Sequence, residues 1–438
     1  MQADKTTLSD LSIFSSEEDH SVFHALNFTE TNGGRDYLRQ ILARPLSSTK
    51  EIRDTQKTIQ HLLQILPRWN SRISNGTIMV AEKFYETQLT SIPKSANIYS
   101  AYFYKWMNTS DFSICRYSVE HFVHLLQGMQ EIHDLLYGTD SSIQISLWLQ
   151  RISMLLNKPG VHDILRIDNP KKISIIQILD IASFMHGHYK QAAFELIDIF
   201  SKIDAYLSLA KACQHFQLCF PEVTDTEEPS IIAEQLYHLL LPTPVSYDVQ
   251  LNRASNFLFL TGANMAGKST FIKAVGVGVY LAQLGMGVPA KSMRISFFDG
   301  LLSNIHVMDN IVKGESYFFN EVQRIRKTIE KISDGKKWLI LIDELFKGTN
   351  VQDAMKCSTT VIEGLRRMQN AVFILSTHLY EIGEPLQQYP NIQFRYFETH
   401  VQDDQLAFSY QLKEGISNDR LGYLILKREG VVELLNKL

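Results

Sequence analysis

A short glycine-bearing segment carries residue types that suit phosphate binding. Its first eight positions fit the pattern G-x-x-x-x-G-K-[ST]. Two glycines let the backbone turn tightly and present N–H groups to phosphate oxygens, while a lysine supplies charge and a serine hydroxyl suits Mg²⁺. The segment consists of Gly262, Ala263, Asn264, Met265, Ala266, Gly267, Lys268, Ser269 and Thr270. We predict that it binds nucleotide phosphates, with Lys268 at the β- and γ-phosphates and Ser269 at the metal ion.

Two carboxylates follow the apolar run 339–342, which is typical of a buried strand. Acids at the carboxyl edge of a parallel sheet lie close to phosphates bound at a neighbouring loop. Asp343 is therefore predicted to hold Mg²⁺ through water, and Glu344 to orient or deprotonate the attacking water. The alternative is a pair of surface acids that cap a strand, but the phosphate loop favours the catalytic pair.

A histidine, His378, ends a third apolar run, after Ser376 and Thr377. A histidine at the end of a strand is more often structural when it stands alone. Together with the two motifs above, it is predicted to sense the γ-phosphate. Lys347 lies in a loop near the nucleotide, and its contact with phosphate is left open.

Alternating strand and helix patterns indicate how these residues are positioned. Short apolar runs at 257–260, 338–342 and 372–375 are separated by helical patterns, which predicts an α/β domain with a largely parallel sheet. Residues 22–216 are mostly helical in pattern, and 173–209 predict one or two long helices with a break near Gly187. Prolines and an acidic cluster near 220–230 place the boundary, giving domains 1–225 and 226–438.

Composition excludes several classes of protein. The 438 residues include 43 Lys and Arg against 47 Asp and Glu, so the net charge of −4 gives no bulk attraction to nucleic acid. Four cysteines are too few for a disulfide framework. Residues 1–20 lack a signal-peptide pattern and are expected to be a loose lead-in, and the apolar stretch 274–290 is predicted to be a buried helix. A cytoplasmic location without a membrane partner is expected.

An aromatic cluster allows two interpretations. Aromatic rings beside lysines stack on unpaired bases in some proteins, but packing of helices against each other is the commoner use and is predicted here. The cluster comprises Tyr99, Tyr102, Phe103, Tyr104 and Trp106, with Lys94 and Lys105.

The phosphate loop, with its Asn-Met pair, is very similar to that of the MutS family of DNA mismatch-repair ATPases. Further segments resemble the family's ATPase domain, and a weaker similarity covers the opening of its helical core domain. The ATPase segments are Gly287–Ala290, Asp309–Asn310, Gly314–Glu321, Asp343–Asn350 and Thr377–His378, and the core segments are Asn32–Arg39 and Arg44–Leu46. The resemblance implies a mostly α core and lever domain followed by an α/β P-loop NTPase domain of the ABC type.

The resemblance also implies an ATPase that dimerises, with each ATP and its Mg²⁺ held between two chains. Ser316 would reach the partner's γ-phosphate and Tyr410 would stack on adenine, while Val245 stands near the opposing stacking position, which is usually aromatic. Glu344, His378 and Lys268 would be the catalytic residues. A homodimer coupling nucleotide state to DNA in repair or recombination is expected, with structure-specific DNA binding and a possible repair-protein partner.

Departures from the family pattern qualify that expectation. The chain begins where the core domain begins, so a short form without the mismatch-recognition and connector domains is predicted, with the DNA clamp absent or reduced. Ala263 and Ala266 replace proline and glycine, which would slow turnover and leave ATP binding intact. A nucleotide-gated dimeric scaffold with a protein target, in place of DNA, is the alternative, favoured by the net charge of −6 over residues 1–240.

Overall fold

The computed structural model describes residues 1–94, 96–138, 142–305, 317–402, 405–417, 426 and 430–435. Within those ranges, no helix has the length and apolar character needed to cross a membrane. The chain forms two compact units that are discontinuous in sequence, and the predicted boundary between residues 225 and 226 stays a prediction. Unit 1 comprises Met1–Ala25, Arg44–Arg53 and His215–Leu438, and unit 2 comprises Leu26–Ala43 and Asp54–Gln214.

Helices dominate the described part of the chain before residue 216, as the apolar spacing predicts. They are α1 (Lys5–Asp10), α2 (Val22–Leu26), α3 (Asn32–Ala43), α4 (Thr49–Ile65), α5 (Asn75–Glu86), α6 (Ile98–Met107), α7 (Thr109–Leu136), α8 (Ile143–Leu156), α9 (Val161–Leu165), α10 (Ile175–Phe184) and α11 (Lys190–His215). Later helices are α12 (Lys268–Gln283), α13 (Tyr317–Ile332), α14 (Val351–Leu365), α15 (Gly383–Leu386) and α16 (Val431–Leu435). The helical character predicted for residues 22–216 is confirmed.

A π-helical turn at Met185–Tyr189 joins α10 to α11. The break predicted near Gly187 is therefore a local widening of the helix and not its end. Such turns insert one extra residue into a helix and are frequent at functional sites.

A buried carboxylate anchors the start of α3 in unit 2. Asp204 on α11 is only 3% exposed and accepts hydrogen bonds from the backbone N–H of Thr31 at 2.9 Å and its hydroxyl at 2.6 Å. A Cβ on Gly34 would lie 2.1 Å from an Asp204 carboxylate oxygen. Gly33 and Gly34, in the segment that resembles the opening of the MutS core domain, thus allow α3 to approach α11 closely.

Unit 1 contains a seven-stranded sheet and a four-stranded sheet. The strands are β1 (Gln2–Ala3), β2 (Glu222–Thr224), β3 (Ile231–Leu236), β4 (Tyr247–Leu251), β5 (Phe257–Thr261), β6 (Ser292–Ser296), β7 (Gly300–Asn304), β8 (Trp338–Asp343), β9 (Ala371–Ser376), β10 (Ile392–Gln402) and β11 (Gln405–Glu414). The larger sheet has the order β1-β7-β8-β9-β5-β10-β11 and is parallel except for the β10–β11 pair. The predicted α/β unit with a largely parallel sheet is confirmed.

Residues 1–20 are not the loose lead-in that their polar composition predicts. Strand β1 pairs in parallel with β7 at the edge of the larger sheet, and the Asp4 side chain caps α1. Buried Asp10 then accepts hydrogen bonds from the Ser303 hydroxyl at 2.5 Å and the Ile305 N–H at 3.0 Å. These polar contacts, together with the fully buried side chains of Leu11 and Ile13, hold the segment, and the polar contacts leave no trace in hydrophobic periodicity.

Sheet order places the candidate functional residues together. Strands β8, β9 and β5 are adjacent and parallel, so their carboxyl ends lie at one edge. The phosphate loop follows β5, Asp343 ends β8 and Ser376 ends β9. The strands themselves are buried on both faces, which fixes this edge rigidly.

Candidate functional site

The phosphate loop has the backbone conformation that its glycines allow. Gly262 and Gly267 have φ angles of 138° and 110°, in the left-handed region that side chains rarely adopt. A Cβ on Gly262 would also lie 3.2 Å from backbone and side-chain atoms of Phe397. Helix α12 begins directly after the loop, so the positive end of its dipole faces the loop.

Lys268 folds back onto its own loop. Its ammonium group donates to the carbonyl oxygens of Gly262 at 2.8 Å and Ala263 at 2.9 Å, and lies 3.4 Å from Nε2 of His378. Burial lowers the pKa of Lys268 to about 8, and the carboxylates of Glu344 and Asp343 only partly oppose that effect. The loop therefore holds a cation that phosphate oxygens would stabilise better than these carbonyls do.

Oxygen atoms suited to a magnesium ion meet at the end of β8. The hydroxyl of Ser269 donates to one carboxylate oxygen of Asp343 at 2.5 Å, and the buried Ser376 hydroxyl donates to the other. A hydroxyl and a carboxylate are hard oxygen ligands of the kind that Mg²⁺ prefers in nucleotide sites. The donor set fits that ion, and Ser376 orients its carboxylate.

Glu344 is held by two cationic or proton-donating partners. Its carboxylate lies 2.9 Å from Nε2 of His378 and 2.9 Å from the ammonium group of Lys347. Burial alone would raise the pKa of Glu344, but hydrogen bonds from His378 and Lys347 outweigh it and lower the pKa to about 2. Lys347, whose contact the sequence leaves open, thus pairs with the predicted base.

The backbone around Glu344 is strained. Glu344 and Phe346 have φ angles of 61° and 59°, which are uncommon for residues other than glycine. The carboxylate of buried Glu321 on α13 accepts hydrogen bonds from the N–H groups of Lys347 at 3.1 Å and Gly348 at 3.2 Å. These bonds fix the turn that aims Glu344 at the phosphate loop.

A cavity of about 440 Å³ lies over the phosphate loop, within the size range of small-molecule sites. It is lined by Leu241, Thr243, Val245, Tyr247, Asn264, Met265, Gly267, Lys268, Ser269, Thr270, Glu344, His378 and Tyr410. Tyr410 lies against the loop, since a Cβ on Gly267 would be 3.4 Å from its ring. Ser316 lies outside the described residues.

Sequence reasoning missed one aromatic residue of this cavity. It singled out Val245, whereas Tyr247 packs edge-on against Phe271 and Phe397 at centroid distances of 5.3 and 5.7 Å. Burial raises the pKa of Tyr247 to about 12. The alternation of buried and exposed residues along β4 is the signal that points its side chain inward.

Two family models match most of this chain. MutS domain III matches residues 6–210, and MutS domain V matches residues 258–434. The chain belongs to the MutS family. In this MutS-family chain, the phosphate loop, Glu344 and His378 all lie within the domain V match.

Curated relatives of this MutS-family chain carry mismatch-repair and MutS names. "MutS protein homolog 4" from Homo sapiens is 31% identical over 238 residues, which are 52% of this chain and 25% of the relative. "DNA mismatch repair protein MutS" from Pseudothermotoga lettingae is 28% identical over 232 residues, 52% of this chain and 28% of the relative. The match thus spans about a quarter of these relatives' length.

Proposed function

We propose that the chain binds and hydrolyses ATP with Mg²⁺ as a dimer and couples its nucleotide state to DNA binding. The observation that carries the proposal is the convergence, at one sheet edge, of the phosphate loop, the Ser269–Asp343 oxygen pair and the Glu344–His378 pair. These groups supply a phosphate cradle, a metal site and a base for water in one cavity.

Lys268 performs the binding step in this proposal. Its ammonium group leaves the carbonyl oxygens of Gly262 and Ala263 and donates to β- and γ-phosphate oxygens, which restores its full charge. Backbone N–H groups of the loop and the start of α12 face the same oxygens. Ser269 and Asp343 would hold Mg²⁺, which would neutralise phosphate charge.

Glu344 performs the hydrolysis step. In the resting geometry hydrogen bonds from His378 and Lys347 together make it a weak base, because they outweigh burial and lower its pKa to about 2. When the γ-phosphate draws Lys347 away from Glu344, the pKa of Glu344 rises and the carboxylate accepts a proton from the attacking water. The water oxygen bonds to the γ-phosphorus as the bond to the β–γ bridging oxygen breaks, so that ADP and phosphate leave. His378 keeps the carboxylate oriented and contacts the γ-phosphate.

The dimer and the DNA target rest on membership of the MutS family. Ser316 would contact the γ-phosphate of ATP bound to the partner chain, and Tyr410 would stack on adenine, so two chains would form two composite sites. The names of the mismatch-repair relatives support DNA as the target. We expect this binding to be structure-specific, because no base-reading module is evident in the sequence.

The test measures the ATPase rate against protein concentration, with and without duplex, mismatched and branched DNA at fixed salt. A rate that rises as the chain dimerises and changes with DNA supports the whole proposal. A concentration-dependent rate that ignores every DNA supports a nucleotide-gated scaffold for a protein partner. Full ATPase activity in a chain that sediments as a monomer under the assay conditions would exclude composite sites.

Substitution of the predicted base separates binding from chemistry. Glu344→Gln should bind ATP but hydrolyse it at least ~10²-fold more slowly, because an amide does not accept the proton. Glu384→Gln, at an exposed position on α15, is the matched control and should retain the native rate. Native turnover in Glu344→Gln would remove Glu344 from this role.

A further inference from the structure

Helix α6 presents an aromatic stripe to solvent, contrary to the predicted packing between helices. Tyr99, Tyr102, Phe103 and Trp106 are 88%, 59%, 63% and 75% exposed, and only Tyr104 of the cluster is buried. Their spacing of i, i+3, i+4 and i+7 places them on one face of the helix. The hydrophobicity of these four side chains predicts that they are buried, but the face of α6 that the fold buries is the opposite one.

The size of this aromatic stripe (Tyr99, Tyr102, Phe103 and Trp106) distinguishes it from scattered surface residues. At about 200 Å² per aromatic side chain, the four expose on the order of 500 Å². An apolar patch of that size is among the largest on a typical monomer and often marks a binding surface. The rings of Phe103 and Trp106 are 6.3 Å apart and tilted by 53°, so neither π-face is covered by the other.

Two exposed lysines lie near the stripe. Residues 87–110 contain two lysines, Lys94 and Lys105, and no acidic residue. Within the described part of the chain, neither lysine forms an ion pair with a carboxylate, and the ammonium group of Lys105 lies 5.3 Å from the centroid of the Phe112 ring. Two carboxylates accept hydrogen bonds from the same segment, Asp111 from the N–H and hydroxyl of Thr90 and Asp180 from the N–H of Ala96, so the lysines do not act alone there.

A small polar cavity adjoins the same helix. It measures about 170 Å³ and is lined by Leu89, Thr90, Ser91, Ile92, Lys94, Ser183, His186 and Gly187. The hydroxyl and N–H of Thr90 already donate to Asp111, so the groups that would face an anion of phosphate size are the ammonium group of Lys94, the imidazole of His186 and the hydroxyls of Ser91 and Ser183. Tyr104 of α6 donates to the Thr90 carbonyl at 3.3 Å, which ties the cavity to the stripe.

We propose that the aromatic stripe of α6 and this cavity bind an unpaired stretch of nucleic acid, with bases stacked on the rings and a backbone phosphate at Lys94. Stacking on aromatic side chains tolerates any base, and lysines that track the backbone supply the attraction. A membrane-surface helix would carry a lysine- and arginine-rich polar face, whereas α6 contains one lysine. The proposal rests on the proposed DNA-linked function and adds the form of nucleic acid and its site.

The test uses the full chain without nucleotide and a labelled oligothymidylate of about 16 nucleotides, followed by fluorescence anisotropy at stated salt. Tyr99→Ala and Trp106→Ala should each weaken binding at least ~5-fold. Tyr137→Ala is the matched control, because Tyr137 is 71% exposed outside the stripe, and should bind as the native chain does. Lys94→Gln should reduce the slope of log affinity against log salt by about 0.7.

Other results would overturn the proposal. Equal affinity in all variants, or no binding of the oligothymidylate by the native chain, excludes the stripe as a nucleic-acid site. If the native chain does not bind the oligothymidylate but self-associates in sedimentation, and Trp106→Ala loses that association, the stripe binds a second copy of the chain. If instead the native chain binds anionic vesicles and Trp106→Ala does not, the stripe binds a membrane. ATPase activity is measured on the same samples. Its absence would refute the proposed ATPase function but not the nucleic-acid site on α6, because the oligothymidylate assay needs no ATP.

Discussion

ATP affinity should depend on pH through a single buried lysine. In the protein without nucleotide, burial lowers the pKa of Lys268 to about 8, so its neutral form predominates above that pH. Phosphate oxygens favour the charged form, so ATP binding must bring a proton to Lys268 at high pH. Affinity is therefore complete below pH 8 and falls as the pH rises through 8.

The size of the effect follows from the titration of Lys268. With a pKa of about 8, the charged fraction is roughly 0.9 at pH 7 and roughly 0.1 at pH 9, so the dissociation constant should rise about tenfold. A lysine at the ordinary value of 10.5 would lose about 3% of its charge over the same range, and the affinity would hardly change.

Equilibrium binding of a fluorescent, non-hydrolysable ATP analogue from pH 7 to pH 9 measures this change. Lys268→Arg is the control, because a guanidinium group stays charged throughout, and its affinity should be flat with pH whatever its absolute value. A flat profile in the native chain would show that Lys268 keeps its charge in the free loop. The same decline in Lys268→Arg would assign it to another group.

Two further predictions concern close contacts in the structure. Gly34→Ala should lower the free energy of unfolding by about 2 kcal/mol in urea denaturation, because the added Cβ meets the Asp204 carboxylate. The control is Gly364→Ala, whose added Cβ meets open space; it should raise the free energy of unfolding by about 0.5–1 kcal/mol. Ser376→Ala should raise the Mg²⁺ concentration that half-saturates ATP binding at least ~10-fold, because Asp343 loses its orienting bond. Unchanged values in Gly34→Ala or Ser376→Ala would contradict the corresponding contact.

The elements that the amino-acid sequence predicts correctly are those with strong local signals. Strands β5, β8 and β9 are buried on both faces and therefore form continuous apolar runs, which mark their ends and the residues that follow. The phosphate loop is recognisable from the positions of two glycines within a segment of nine residues. These signals are local, so they survive without any knowledge of tertiary contacts.

Contacts between distant residues could not be predicted in the same way. His378 meets Glu344 only because β8 and β9 are neighbours in the sheet. The aromatic stripe of α6 has the composition of a buried helix, and only the packed structure shows which face of α6 is covered. Propensity and periodicity describe one element at a time. They show neither which strands are neighbours nor which face of a helix is covered.

The position of β1 has a consequence for the order of folding. Gln2 pairs with Gly300, so once β1 is made it waits for residues almost 300 positions later, on the order of 15–60 s at 5–20 residues per second. Until then β1 has no partner; without β1, β7 would form a bare edge of the sheet, and a bare edge strand is prone to pair with other chains. A fragment that starts at residue 226 would keep that edge open permanently, so we expect it to aggregate unless a peptide of the first residues is supplied.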